Sequence, residues 1–243
     1  MRTLRRVEPD AGMKSVSIVI PVLDEESEIV DALTALAPLR ARGVEVLVVD
    51  GGSRDRTAAL ARPLCDRVIQ APRGRALQMN AGAAASRGQI LVFLHADTRL
   101  PADADRIVAD AIARSGRDWG WFDVTIRGRS LLFPLIASTM NLRSRATGIA
   151  TGDQAIFVAR KAFTAAGTFP FIPLMEDIAF CRRMKRIGAP ICPKARALTS
   201  GRRWEKHGVL RTILLMWWLR LAFFLGADPD RLAQRYGYVA KEP

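Results

Sequence analysis

In the stretch GQILVFLHADTRLP, an apolar run from Ile90 to Leu94 leads straight into His95, Ala96, Asp97 and Thr98. A strand buried by such a run is rigid, and its end can hold an imidazole and a carboxylate in fixed positions. Two other strand-like segments end the same way. Asp24 and Glu25 follow SVSIVIPV, and Asp50 closes VEVLVVD. Carboxylate oxygens are the ligands preferred by hard cations such as Mg²⁺ and Mn²⁺, and Mg²⁺ sites commonly use only one or two of them. Asp97 offers such a carboxylate, and the imidazole of His95 beside it can ligate a metal or donate a hydrogen bond. The plainer alternative is that acidic residues cap the helices that follow, and Asp55 before RTAALA fits that role. Asp97 is spared it, because Thr98 can cap a helix whose first turn carries Pro101. A second acidic pair, Glu176 and Asp177, opens a later helical pattern. Adjacent helical residues point about 100° apart, so one of the two does chemistry and the other orients it.

The elements that must hold these groups alternate in type. After SVSIVIPV comes a helical pattern from Glu26 to Arg40; after VEVLVVD, DRTAALA; after DRVIQA, RALQMNAGAAASR; then QILVFLHAD. Strands that are apolar throughout and separated by helices indicate an α/β fold with a doubly wound, mostly parallel sheet and helices on both faces. Ligands of such sheets bind beyond the carboxyl ends of the strands, where the carboxylates fall. Arg73 and Arg75 precede the ALQMN helix, placed for phosphate by charge and by the helix N-terminus. The second half predicts a strand at WGWFDVTI, a helix from Leu131 to Arg145, a strand at QAIFVAR and a helix from Met175 to Ile187. A composition shift near Gly116 marks a second subregion on the same sheet.

The totals narrow the partners. With 49% hydrophobic and 25% charged residues the chain reads as globular, and its net charge of +13 favours polyanions, phosphorylated molecules or an anionic membrane. Cys65, Cys181 and Cys192 form no CxxC spacing, which argues against a disulfide framework or zinc cluster. Residues 1–13 lack an apolar core and read as a flexible tail, with Met13 an alternative start. Residues 14–204 are expected to form one domain, with a first half to about 115 and a second from 116; 205–243 are expected to form a C-terminal amphipathic helical extension. Within it, Val209 to Gly226 is interrupted by Arg211 and Arg220. A mid-bilayer arginine costs about 3 kcal/mol, so a spanning helix is not expected. Two readings stand: a helix lying in a membrane interface, or one packed on the core.

Taken in order, these motifs resemble family 2 glycosyltransferases of the GT-A fold. VSIVIPVLDEE is similar to that family's opening strand, VLVVDGGSRDRT to its VDDGSxDxT segment, and GRALQMNAGAAASRGQILVFLHADT to its Asn-Gly helix and DxD strand. TGDQAIFVARKAFTAAGTFPFIPLMEDIAFCRRMKRIG is similar to its acceptor half. The resemblance covers about Ser15 to Trp204, and within the family it leans toward a small subgroup associated with arsenosugar biosynthesis.

The resemblance implies an inverting, metal-dependent transfer of a single sugar from a nucleotide-diphosphate sugar, expected to be a UDP-sugar, to an acceptor hydroxyl. Pro21, Asp24, Glu25, Asp50, Arg73, Arg75, His95 and Arg203 would bind the donor, and Asp97 would hold Mn²⁺ or Mg²⁺. Asp177 would act as general base with Glu176 beside it, and Asp153 and Trp204 would meet the acceptor. His95 departs from the family pattern, standing where DxD has its first Asp. SGRRWEKHG matches a QxxRW motif only at Arg203 and Trp204, with Ser200 in place of Gln, which favours transfer of one sugar over polymer synthesis. A lipid-linked or small soluble acceptor fits equally, the lipid one with contact to an anionic membrane from the cytoplasmic side; nucleic acid is not an expected partner. Two other functions compete. A sugar nucleotidyltransferase would carry a Gly-rich loop after the first strand, where PVLDEE has no glycine. A non-catalytic basic protein leaves the ordered carboxylates unexplained.

Overall fold

The computed structural model describes residues 15–237, apart from the side chains of Arg203 and His207. The expected tail at 1–13 lies outside the described residues. Strands β1 (Val16–Val22), β2 (Glu45–Asp50), β3 (Arg67–Gln70) and β4 (Ile90–Phe93) are linked by helices α1 (Glu26–Ala35), α2 (Ala37–Ala41), α3 (Thr57–Ala61) and α4 (Arg75–Ala85). The four strands are parallel, and with two later ones they form a six-stranded sheet in the order β3-β2-β1-β4-β8-β6. The chain continues through β5 (Thr98–Arg99), α5 (Ala104–Ser115), β6 (Trp119–Gly120), β7 (Asp123–Arg127) and α6 (Phe133–Thr147). After a 3₁₀ turn at Gly152–Gln154 come β8 (Phe157–Ala159), α7 (Arg160–Ala165), α8 (Glu176–Ile187) and β9 (Arg196–Ser200). Helices α9 (Arg202–His207), α10 (Val209–Phe224) and α11 (Pro229–Arg235) complete the described chain.

Strand alternation explains why helices cover both faces. Ile18, Ile20 and Val22 of β1 point to one core with Ile29 and Leu33 of α1 and Val108 and Ile112 of α5. Val19 points to the other, with Met79 and Ala83 of α4 and Phe180 and Met184 of α8. Helix α4 lies so close to the sheet that a Cβ at Gly82 would come within 2.3 Å of Val19 Cγ1 and 2.8 Å of Val49 Cγ2. Glycine is what lets this helix touch the strands.

Four expectations need correction. The helix read as Glu26 to Arg40 is two helices, because Pro38 has no N–H for the Thr34 carbonyl and the chain turns at Leu36. Thr98 does not cap a helix. It belongs to β5, its hydroxyl bonds Thr199, and α5 starts later, at Ala104. WGWFDVTI is not one strand. Its chain leaves the main sheet after Gly120, where Trp121 N–H donates to Ile191 and Phe122 N–H to Gln154, and β7 enters a second sheet, β5-β9-β7. The second half is therefore built only partly on the first sheet, through antiparallel β8 and β6. The fourth correction concerns the boundary at 204/205, which falls inside α9; α10 and α11 pack on Leu174, Met175 and Ile178 around α8 through Leu219, Leu232 and Ala233.

Candidate active site

Register brings the strand ends together. Val22 pairs with Asp50 and Asp50 with Gln70, while Leu94 N–H donates to the Val19 carbonyl as the chain leaves β4. Phe93 is held edge-on to Phe169 (centroids 4.8 Å), and Phe169 against Phe180 of α8 (4.4 Å). This aromatic packing fixes the end of β4 relative to α8, and so His95 and Asp97 relative to Glu176 and Asp177. Between them lies a cleft of about 400 Å³.

His95, Asp97 and Asp153 converge: one ligand atom from each lies within 4.8 Å of the others. His95 Nδ1 faces Asp153 Oδ1 at 3.3 Å. The opposite edge of the ring abuts the Gly152 backbone, where a Cβ would sit 2.3 Å from Cε1 and Nε2. The imidazole is thus aimed at Asp153, as an outer partner orients a ligand carboxylate. Burial pulls the His95 pKa down, but its bond with Asp153 and the Asp153 and Asp97 charges together outweigh this, and the net shift is upward. Burial raises the Asp97 carboxyl, and the Asp153 charge adds to the effect. Two carboxylates that raise each other's cost of ionisation beside an oriented imidazole suit a hard divalent cation, whose charge would relieve both. Asp153, expected to meet acceptor, stands with the metal candidates instead. It follows Gly152 in TGDQ, a sequence signal that spacing alone could not attach to His95 and Asp97, 58 and 56 residues upstream.

Asp177 is anchored by backbone: its Oδ2 accepts from Gly152 N–H at 2.9 Å and its Oδ1 from Ile178 N–H at 2.7 Å. Gly152 therefore touches His95 and bonds Asp177 at once. Glu176 has a different setting. Its side chain is buried and ion-paired with Arg75 at 3.5 Å. Burial raises the Glu176 carboxyl, with Arg75 opposing, and the Glu176 charge in turn holds Arg75 firmly cationic. Met175, just before them, adopts a left-handed backbone (φ 67°) although it is not glycine, a conformation that persists only where packing enforces it. Its buried side chain lies among Leu174, Ile178 and Leu219.

The remaining expected donor residues divide. Pro21, Glu25, Arg73, Arg75 and His95 line the cleft. Burial raises the Glu25 carboxyl, as does the Asp97 charge, and Arg202 counters from 3.6 Å. Asp24 is exposed and outside the lining; its carboxylate accepts from Arg54 N–H at 2.7 Å and its φ of 53° turns the chain. Asp50 is buried below the cleft, bonded to Ser53 N–H (3.0 Å) and Gln70 Nε2 (2.9 Å). Arg203 lies in α9, and its side chain is outside the described residues. Trp204 both lines the cleft and packs with Phe133 and Ile136. Asp55, expected at the N-cap of α3, stands one residue before it, the N-cap being Arg56, and accepts from Thr57 N–H and Glu26 N–H.

Sequence reasoning missed Gln78, whose buried Nε2 donates to both Val22 and Val49 carbonyls at 2.8 Å and ties the ends of β1 and β2 beside the cleft. It also missed Met216, Arg220 and Tyr236, which line the cleft from the C-terminal segment.

The sequence profile of glycosyl transferase family 2 matches residues 17–165, and the chain belongs to that family. It is 34% identical over 99 residues to undecaprenyl-phosphate 4-deoxy-4-formamido-L-arabinose transferase from Pseudomonas aeruginosa (strain LESB58), a match covering 36% of this chain and 29% of that protein. The protein of the same name from Salmonella paratyphi A is 28% identical over 254 aligned positions, covering 94% of this chain and 73% of that one. Among solved structures, the mannosyltransferase PcManGT from Pyrobaculum calidifontis, in complex with GDP-Man and Mn²⁺, superposes with a TM-score of 0.64 at 20% identity, over 98% of this chain and 68% of that one. Glucosyl-3-phosphoglycerate synthase from Mycobacterium tuberculosis, with Mn²⁺ and UDP, gives 0.52 at 22% identity over 78% and 71%. The fold is GT-A. These likenesses do not confirm the arsenosugar subgroup.

Proposed function

We propose that the cleft binds a nucleotide-diphosphate sugar, expected to be a UDP-sugar, together with Mn²⁺ or Mg²⁺, and transfers a single sugar with inversion. The observation carrying this reading is the convergence of Asp97, Asp153 and His95 at the carboxyl end of β4. Asp97 and Asp153 would hold the cation, and His95 would orient Asp153. A divalent cation there neutralises charge developing on a departing diphosphate. Arg73, which lines the same cleft, adds positive charge from the loop before α4. The acceptor oxygen forms its bond to the anomeric carbon as the bond to the diphosphate breaks on the opposite face.

Two acceptor chemistries divide the role of Asp177. A hydroxyl must lose its proton, and the anchored Asp177 carboxylate is the group in the cleft to receive it. A lipid-linked phosphate already carries a nucleophilic anion and needs no base. The names of the Pseudomonas and Salmonella relatives favour the phosphate, as do Leu174, Met175, Met216 and Arg220 on one wall, an apolar surface with a single cation. A lipid-linked acceptor also entails peripheral contact with a membrane.

The experiment is thermal unfolding with UDP and Mn²⁺. The wild type should be stabilised, by about 2.7 kcal/mol when ligand is at a hundred times its dissociation constant, and Asp97→Asn should abolish the increment that Mn²⁺ adds to UDP alone. An undiminished increment in Asp97→Asn and in Asp153→Asn would overturn the metal assignment.

A further inference from the structure

Helix α10 is apolar on nearly every side, yet among the described residues only one side has a partner. Thr212, Leu215, Met216, Leu219 and Phe223 turn inward. Leu210, Leu214, Trp217, Leu221 and Leu225 recur at steps of three or four residues and stand in solvent, with Leu214 and Trp217 each 71% exposed and Leu225 80%. At 1.5 Å per residue this stripe runs about 22 Å. Helix α6 repeats the pattern. Its inner residues Phe133 and Ile136 share a cluster with Val209 and Ile213 of α10, while Leu135 and Leu142, and Leu131 (95%) just before the helix, stay exposed. Two neighbouring helices thus each present an unpartnered apolar stripe, more than scattered surface leucines require.

We propose that the exposed stripes of α10 and α6 form a docking surface for an anionic lipid bilayer. Charge selects this occupant. The chain carries +13, so a second copy would be repelled, whereas anionic headgroups are drawn to it. The arginines are placed for an interface: Arg211 lies exposed beside Leu210, the Arg235 guanidinium sits over the Trp218 ring at 4.9 Å, and that of Arg182 over Phe224 at 5.7 Å. Apolar side chains at acyl depth with guanidinium groups at the phosphates is how an amphipathic helix lies in a membrane plane. No helix among the described residues is long and apolar enough to cross a membrane. Met216 and Arg220, on the same helix, line the cleft, so docking places the cleft wall beside the bilayer. The surface gives the lipid-acceptor reading its membrane contact and rests on that reading only for its purpose.

The test is sedimentation of the full chain with vesicles of phosphatidylcholine alone or with one quarter phosphatidylglycerol, using wild type and L214E/W217E. Neither residue lines the cleft. The wild type should partition onto the anionic vesicles, and the variant's partition coefficient should fall at least roughly tenfold while it unfolds cooperatively and keeps its UDP-induced thermal shift. Loss of that shift in the wild type would count against donor binding, not against docking. Two results would overturn the proposal: equal partitioning of variant and wild type, or a wild type that ignores both vesicles and sediments as a dimer that the variant dissociates.

Discussion

Gly152 is where the metal candidates and Asp177 meet, and the smallest side chain placed there should disturb both. Its φ is not in the left-handed region, so alanine brings no backbone penalty and the cost of Gly152→Ala is steric alone. The added Cβ would stand 2.3 Å from Cε1 and Nε2 of His95, and ordinary contact begins near 3.4 Å, so ring and backbone must separate by about 1 Å. Moving the ring loosens its 3.3 Å bond to Asp153; moving the backbone disturbs the 2.9 Å bond from Gly152 N–H to Asp177. Overpacking of this kind costs about 1–3 kcal/mol. For a chain of this length each kcal/mol lowers Tm by about 2–4 °C, which gives a fall of roughly 2–12 °C.

A displacement of about 1 Å at catalytic groups can also cost on the order of a hundredfold in rate. The assay is a double-mutant cycle by thermal unfolding on wild type, Gly152→Ala, His95→Ala and both together. Removing the imidazole opens the space the Cβ needs, so Gly152→Ala should cost much less in the His95→Ala background. Strict additivity of the two changes would refute the reasoning, because the clash would then lie elsewhere.

Three further outcomes follow from separate contacts. Asp177→Asn should keep the UDP-induced thermal shift and cut transfer to a hydroxyl acceptor by about 10²–10⁴, while transfer to a lipid phosphate should fall far less; an equal fall in radiolabel transfer to both would remove the distinction. Arg75→Ala strips the buried Glu176 of its cation and should cost about 3–5 kcal/mol in urea unfolding, the penalty of an uncompensated buried charge, with part recovered when Glu176→Gln is added; a loss of UDP affinity with unchanged stability would show that the pair is not structural. Burial raises the Asp105 carboxyl, but the forked bonds from Arg42 at 2.9 and 2.7 Å, the Arg42 charge and backbone N–H bonds together outweigh this, and the net shift is downward. Its contribution is therefore present above the unfolded carboxyl pKa, about 3.9, and lost as pH falls through the lower folded value. Asp105→Asn should cost about 1–3 kcal/mol at pH 7, a gap that urea titration should see close below about pH 4.

The main sheet was legible because β1 and β4 are buried from end to end and β2 at all but Glu45, and an uninterrupted β-branched or apolar run has few other destinations. The carboxyl-end rule led to the cleft, which His95 and Asp97 line beside Pro21 and Glu25. Asp24 and Asp50 also sit at strand ends, but outside that lining, with their oxygens on other N–H groups: Asp24 on Arg54, Asp50 on Ser53 and Gln70. A pattern of residue types at strand ends cannot tell a carboxylate that faces a ligand from one that organises a turn. The second half was harder to read because its strands are two to five residues long and are shared between two sheets. Asp153 illustrates the cost. Its partners are set by antiparallel pairing of β8 with β4, a long-range choice that no local spacing records.

Glu176 and Asp177 show how far helix geometry alone carries an argument. The angle between adjacent helical side chains required that the two differ in setting, and they do: both border the cleft, but Glu176 is buried against Arg75, while Asp177 is half-buried and tied to Gly152. Geometry could not say which of them would be buried, since both are acidic and both open α8. The deciding element is Met175, whose left-handed backbone sets the angle at which α8 begins and whose side chain is wedged among Leu174, Ile178 and Leu219. Leu219 belongs to α10, the helix whose outer face is unpartnered. The same helix therefore buttresses the start of α8, supplies Met216 and Arg220 to the cleft wall, and presents Trp217 outward. A helix with three such duties must be apolar around most of its circumference, which is why its sequence could not distinguish a core helix from an interfacial one. In this fold one face packs on the core and the opposite face is exposed and apolar.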